Sequence, residues 1–141
     1  MKKSSLLVVV VFWSAVSIAS SANWSFSAVN IYDGSDAVAA KMPIGTVGFL
    51  FDASILTQAK LFEIFSSDTA VDMTKVIGYV TTSSSFTSEG VLPGTSFSYG
   101  QQGGGDYNYY FAIINSDAIY LSATKTVTAY DKDTIRSITF G

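Results

Sequence analysis

The sequence predicts an all-β protein, a single antiparallel β-sandwich of roughly seven to nine strands with one short helix near residues 55–65. Three observations predict it. Apolar and polar residues alternate in short runs, as in Trp24-Ser25-Phe26-Ser27-Ala28 and Ile135-Arg136-Ser137-Ile138-Thr139-Phe140, the period-2 pattern of half-buried strands. Such runs recur about every 8–12 residues with turn-forming residues between them. Residues 106–122 also hold the chain's densest collection of aromatic and β-branched side chains, which suit a pleated, half-buried surface.

Residues 1–22 read as a secretory signal peptide. Met1-Lys2-Lys3 is a short basic start, residues 6–16 are an apolar core, and small residues lead to a small-x-small site at Ser20-Ser21-Ala22. Those are the three parts of such a leader, and cleavage is expected after Ala22. The uncharged apolar run, residues 6–19, is shorter than the roughly 20 residues that cross a bilayer as a helix. No membrane span is therefore expected after cleavage, and the protein is expected to be secreted or held at the cell surface. Residues 23–141 then make one β-sandwich domain, a size that buries a real core. The chain has no cysteine, so packing and sheet hydrogen bonds must replace the disulfides on which many small secreted domains lean.

From residue 23 the elements follow in order. Trp24 to Ala28 alternate, and apolar character then shifts past Asn30 to Ile31 and Tyr32, which predicts a bulge near residues 28–30. Asp33-Gly34-Ser35-Asp36 and Met42-Pro43-Ile44-Gly45 are turn signals. The run Thr46-Val47-Gly48-Phe49-Leu50-Phe51 is apolar on both faces, as an interior strand covered on both sides would be. Ile55, Ala59, Phe62 and Phe65 fall at helical spacing, with Leu61 close to the same stripe and Ser54 as a candidate cap; a strand over residues 60–65 is the alternative. Residues 75–82 read as a strand running into a polar Ser/Thr-rich stretch whose only anchor is Phe86. Residues 91–94 read as a turn and residues 95–99 as a short strand.

Gly100-Gln101-Gln102-Gly103-Gly104-Gly105 has no lysine and leads into a strand, so it is a connection and not a phosphate loop. In the hairpin that follows, Tyr107, Tyr109, Phe111 and Ile113 share one face, and Tyr110, Ala112 and Ile114 share the other. Asn115-Ser116-Asp117 turns the chain back through residues 119–123. Residues 126–130 and 135–140 are the last strands, joined at Asp131-Lys132-Asp133.

Composition excludes several chemistries. The chain has no histidine or cysteine, so the usual zinc, copper and haem ligand sets and the Ser-His-Asp or Cys-His nucleophile systems cannot be built. The carboxylates fall mostly at turns, where Asp bonds its own backbone, and no Ser-x-x-Lys occurs. No catalytic, metal-ligating or cofactor-binding residue is assigned, and the protein is expected not to be an enzyme. A metal-independent hydrolase with carboxylate chemistry is the minor alternative.

Once Lys2 and Lys3 leave with the leader, six basic residues face 11 acidic ones, a net charge of −5. That argues against nucleic acid as a partner. The candidate contact residues are Asp106, Tyr107, Asn108, Tyr109 and Tyr110, since aromatic faces beside polar groups can stack on sugar rings. The competing reading is that these rings serve the core.

The chain resembles a loose group of short exported bacterial proteins of unknown function, many of which end in a PEP-CTERM sorting tail. The likeness lies in the leader, Ile31-Tyr32-Asp33-Gly34 and Gly45-Thr46-Val47-Gly48-Phe49-Leu50-Phe51-Asp52. It continues in the Ser/Thr-rich middle, the Gly-rich loop and the aromatic hairpin. The sequence departs from the pattern at Phe140-Gly141, where no Pro-Glu-Pro tail follows. The resemblance supplies no site residues. The expected role is an exported, non-enzymatic structural, cell-surface or matrix component. A carbohydrate-binding module using the Tyr-rich hairpin is the alternative, with extracellular polysaccharide or self-association as the partner.

Overall fold

A computed structural model of the chain describes residues 23–34, 39–67, 69–98, 104–115, 118–130 and 135–141. The expected leader and its cleavage point, Tyr99, most of the Gly-rich connection and the Asp131-Lys132-Asp133 turn lie outside these residues.

The described elements, in chain order, are β1 (Asn23–Ala28), β2 (Val47–Asp52), the helix α1 (Gln58–Phe65), β3 (Val80–Ser85), β4 (Leu92–Ser98), β5 (Gly105–Ile114), β6 (Ile119–Leu121), β7 (Lys125–Ala129) and β8 (Ser137–Phe140). The fold is an all-β sandwich of two sheets. One sheet has the order β4-β1-β8; the other runs β3-β2-β5-β6, with β7 also paired to β5. All pairs are antiparallel except β1 with β8. Parallel neighbours need a crossover between them, and β8 meets that condition because the chain passes through the other sheet before reaching it.

β5 is the central strand, paired to β2 along one edge and to β6 and β7 along the other. Its alternation divides the interior in two. Tyr109, Phe111 and Ile113 point between the sheets, where they meet Trp24, Phe26, Phe97, Ile138 and Phe140. Phe111 is the centre of this layer, with ring centroids 6.3 Å from Phe26, 6.3 Å from Phe86 and 5.9 Å from Phe140. Tyr110 and Ala112 point the other way and pack with Phe51 beneath Leu56, Leu61, Phe65 and Val76. The molecule is therefore layered as sheet, sheet and helical cap, and the doubly apolar β2 and β5 are covered on both faces as their sequences require.

Gly48 makes the closest crossing in that interior. A Cβ built there would lie 2.1 Å from Phe111 Cε2 and 2.7 Å from a Leu92 methyl carbon. Only glycine lets β2 pass under the Phe111 ring.

β6 and β7 are one strand interrupted at residues 122–124. The break is closed by Ser122: its N–H donates to the Phe111 carbonyl at 2.9 Å, and its hydroxyl accepts the Phe111 N–H at 2.9 Å. A side-chain oxygen thus replaces the missing ladder carbonyl, leaving no buried donor there without an acceptor. Gln58, the first residue of α1, donates to the Ser122 carbonyl at 2.5 Å and so docks the cap onto the break.

Three expectations need correction. α1 starts at residue 58, not 55, because the Asp52 carboxylate accepts from the N–H and hydroxyl of Ser54 and holds residues 52–54 in a turn. Thr57 is the cap, its hydroxyl accepting from Lys60 N–H. The buried stripe is Leu61 and Phe65, while Ile55 and Phe62 are 63% and 51% exposed. Second, residues 73–79 form two short 3-10 turns around buried Val76 instead of a strand; β3 begins at Val80 and runs into the serine stretch. Third, residues 92–94 belong to β4. The register shift expected in β1 near residues 28–30 lies between Phe26 and Ala28, with the extra residue on β4 beside Pro93 and Gly94, as proline tolerates at a bulge.

Candidate functional site

The five residues proposed from sequence as a contact surface are not brought together on the outside. Tyr109 is 2% exposed and Tyr110 is fully buried. Tyr109 packs edge-on to Phe97 at 5.5 Å and to Trp24 at 6.0 Å, and half-buried Tyr107 packs edge-on to Trp24 at 5.4 Å. Tyr110 lies flat on Phe51 at 5.4 Å. Tyr109 and Tyr110 are enclosed by other rings and so have no face left for a sugar ring. Asp106 and Asn108 are exposed, and their side chains accept from the hydroxyls of Thr128 and Thr126, each at 2.6 Å. They form cross-strand polar pairs outside the aromatic layer.

Burial pushes the Tyr110 hydroxyl up from 10.0 to about 12, and that oxygen has no hydrogen-bond partner among the described residues. It is neutral across the ordinary pH range and enclosed, which leaves it no route to a substrate. Among the described residues no group of His, Cys, Asp or Glu is arranged to hold a metal ion, and no helix is long and apolar enough to cross a membrane.

Two surface features do have organised chemistry. The first is a pocket of about 280 Å³ at one end of the sandwich. Its floor is Ile31, Phe111 and Ile113 and its rim is Asn30, Tyr32 and Tyr120. The chain reaches it through Asn30, which adopts φ 54° as β1 ends, a left-handed conformation that asparagine tolerates better than most residues. That reversal and a bridge from Tyr32 to Lys41 bring Asp33 over β6, where its carboxylate accepts from the Tyr120 hydroxyl at 2.7 Å. This hydrogen bond to Asp33, followed by burial and the carboxylate's charge, raises Tyr120 above the usual tyrosine range. An apolar floor with a few converging polar groups is the usual make-up of a small-ligand site.

The second feature is the outer face of the three-stranded sheet. Ser96, Ser25 and Ser137 lie in one cross-strand row, and Ser27 pairs with Thr139 in the next. The hydroxyls of Ser25 and Ser137 are 3.0 Å apart, and those of Ser27 and Thr139 3.2 Å. None of the three strands contains an ionisable side chain. The period-2 pattern held this face in plain view, since it is the polar half of the same alternation that buries Trp24, Phe26, Ile138 and Phe140. The pocket had only one signal, Tyr120, because the pairing of Asp33 with a residue 87 positions away is written nowhere in local sequence.

Comparison with known protein families, with curated proteins and with solved structures found no match for this chain.

Proposed function

We propose that this protein is an exported, non-enzymatic component of a cell surface or extracellular matrix. Export rests on the sequence of residues 1–22. The observation that carries the role is the uncharged hydroxyl face of β4, β1 and β8. Each hydroxyl both donates and accepts, and no side chain of these three strands carries a charge that would need a counter-ion or repel a neighbour. Such a surface suits contact with neutral hydroxylated polymer or with another face of the same kind.

Fractionation of the producing cells tests the proposal. The protein is expected in the surface or matrix fraction, and Ser96→Lys with Thr139→Lys, which place charges on that face without touching the core, should shift it to the medium. A native chain that diffuses freely as a monomer in the medium would overturn it.

A second reading, carbohydrate binding, is supported by the pocket rimmed by Asn30, Tyr32 and Tyr120 in place of the hairpin. Titration calorimetry against a panel of neutral sugars should then give a signal that Tyr32→Ala with Tyr120→Ala abolishes in the folded protein. Silence across a broad panel would remove this reading.

A further inference from the structure

The two sheets are joined unequally at their sides. β3 and β4 lie next to each other at one seam. At the other, β7 and β8 face one another without a ladder, and their Cα atoms stand more than 8 Å apart over most of their length. Paired strands are about 4.7–4.9 Å apart, so β7 and β8 stand too far apart to bond each other and their facing edges are left without a ladder. It forms a groove of about 390 Å³ lined by Lys125, Thr126, Val127, Thr128 and residues 136–139.

Backbone groups point into this groove from both sides. The carbonyls of Arg136, just before β8, and of Phe140 accept from Ser25 N–H and Val29 N–H of the β1 segment, which turns the alternate residues, Ser137 and Thr139, toward the opening. In β7, the Thr128 carbonyl accepts from Arg136 Nε at 3.0 Å, and across the gap the Thr139 carbonyl accepts from Lys125 Nζ at 2.5 Å. Each cation starts on one strand and ends on the other, so the seam is held by two crossed side chains instead of a ladder. Arg136 also lies over the Tyr130 ring at 5.3 Å, and Lys125 over the Phe140 ring at 5.8 Å. Tyr130 and Ile135, each 76% exposed, flank one end.

We propose that the β7–β8 seam accepts an extended, carboxylate-bearing segment of another polypeptide as an added strand. The incoming backbone takes over the Thr128 and Thr139 carbonyls and the facing groups of Thr126 and Ser137. Main-chain bonds supply affinity in such additions and side chains supply selectivity. The displaced Lys125 and Arg136 then need anionic partners, and among the described residues the groove lining has no acidic side chain to provide them. A second copy presenting the same edge would bring like cations together, the arrangement by which edge strands resist self-pairing. The complementary occupant is an acidic strand of a different chain. The inference goes beyond the surface role and does not depend on it, because fractionation reads location while the measurement below reads the seam.

The test uses the full chain and a capped seven-residue peptide alternating valine with glutamate. Its controls are the same peptide with lysine for glutamate and a version with a central proline, which removes a backbone donor. Amide NMR titration should shift and protect Thr126, Thr128, Ser137 and Thr139, with the glutamate peptide binding at least tenfold more tightly than either control. Lys125→Glu with Arg136→Glu, if folded, should reverse the preference toward the lysine peptide. The unmodified chain alone keeps the proposal falsifiable if that variant does not fold. No binding of the glutamate peptide, equal binding of the glutamate and lysine peptides, or shifts confined to other strands would each overturn it. Protection of these four amides that grows with protein concentration alone would assign the seam to a second copy and overturn it as well.

Discussion

Gly48 and Tyr110 show how little slack the two buried layers contain. Any Cβ at position 48 must move the Phe111 ring, and Phe111 in turn packs against Phe26, Phe86 and Phe140. Overpacking of this kind costs about 1–3 kcal/mol, so Gly48→Ala should lower the unfolding free energy by that amount, read as a lower urea midpoint with an unchanged slope. A midpoint equal to wild type would mean the ring relocates freely. Tyr110 makes the opposite case, an enclosed hydroxyl with no partner among the described residues. Tyr110→Phe should leave stability unchanged or raise it by about 1 kcal/mol, since a buried polar group without a partner is itself a cost. The pH dependence has a fixed sign. The folded state holds the tyrosine proton more tightly than the unfolded chain, up to about 12 against 10.0. Stability from this group is therefore fully present below pH 10.0 and falls as pH rises toward 12. Tyr110→Phe should flatten that alkaline loss, and an identical profile in the variant would remove Tyr110 as its source.

At the scale of elements, the helical cap decides whether the Tyr110 and Ala112 face is core or surface. α1 is only eight residues long, with a salt bridge between exposed Lys60 and Glu63 that adds little. A helix this short is marginal on its own, so its order comes from Leu61 and Phe65 beneath it, the Thr57 cap, and Gln58 bonded to the Ser122 carbonyl. Thr57→Ala should cost about 0.5–2 kcal/mol, read by thermal unfolding, whereas Ser54→Ala leaves the cap in place and should cost less. If Ser54→Ala costs more, the turn at Asp52 contributes more to the order of the helix than the Thr57 cap does. This element was only partly legible in sequence. Apolar spacing favoured a helix over a strand at residues 60–65 but did not fix its phase, because Ile55, Ala59, Phe62 and Phe65 fit helical spacing as well as Leu61 and Phe65 do. What selects between them is the sheet face below, fixed by residues around 110. Residues 73–79 escaped for a related reason: their apolar run suited a strand, yet Val76 is held down alone by a turn whose cap is Asp72.

For the whole molecule, most strands were legible, because apolar and small polar residues alternate along β1 and β8 and turn residues bound the doubly apolar β2 and β5, whereas the starts of β3 and β4 were not. The assignments of Tyr109, Phe111 and Ile113 to one layer and Tyr110, Ala112 and Ile114 to the other both hold. The pocket and the open seam were not legible, since each joins residues remote in sequence: Asp33 with Tyr120, and β7 with β8. A chain without cysteine has only this packing to distribute its stability, and it does so unevenly. β5 is paired on both edges and covered on both faces, so its amides at residues 109–113 can exchange with solvent only when the molecule opens as a whole. The amides of Thr126, Thr128, Ser137 and Thr139 face the seam, with side chains in place of a ladder. Local opening energies span from near zero at such edges to the global value in central strands. Native-state hydrogen exchange should therefore give the β5 amides the full unfolding free energy and the four seam amides protection lower by at least a hundredfold, with β1 and β2 close to β5. Seam amides protected as strongly as β5 would mean that β7 and β8 are joined in solution, and the sandwich would then be a closed barrel on that side.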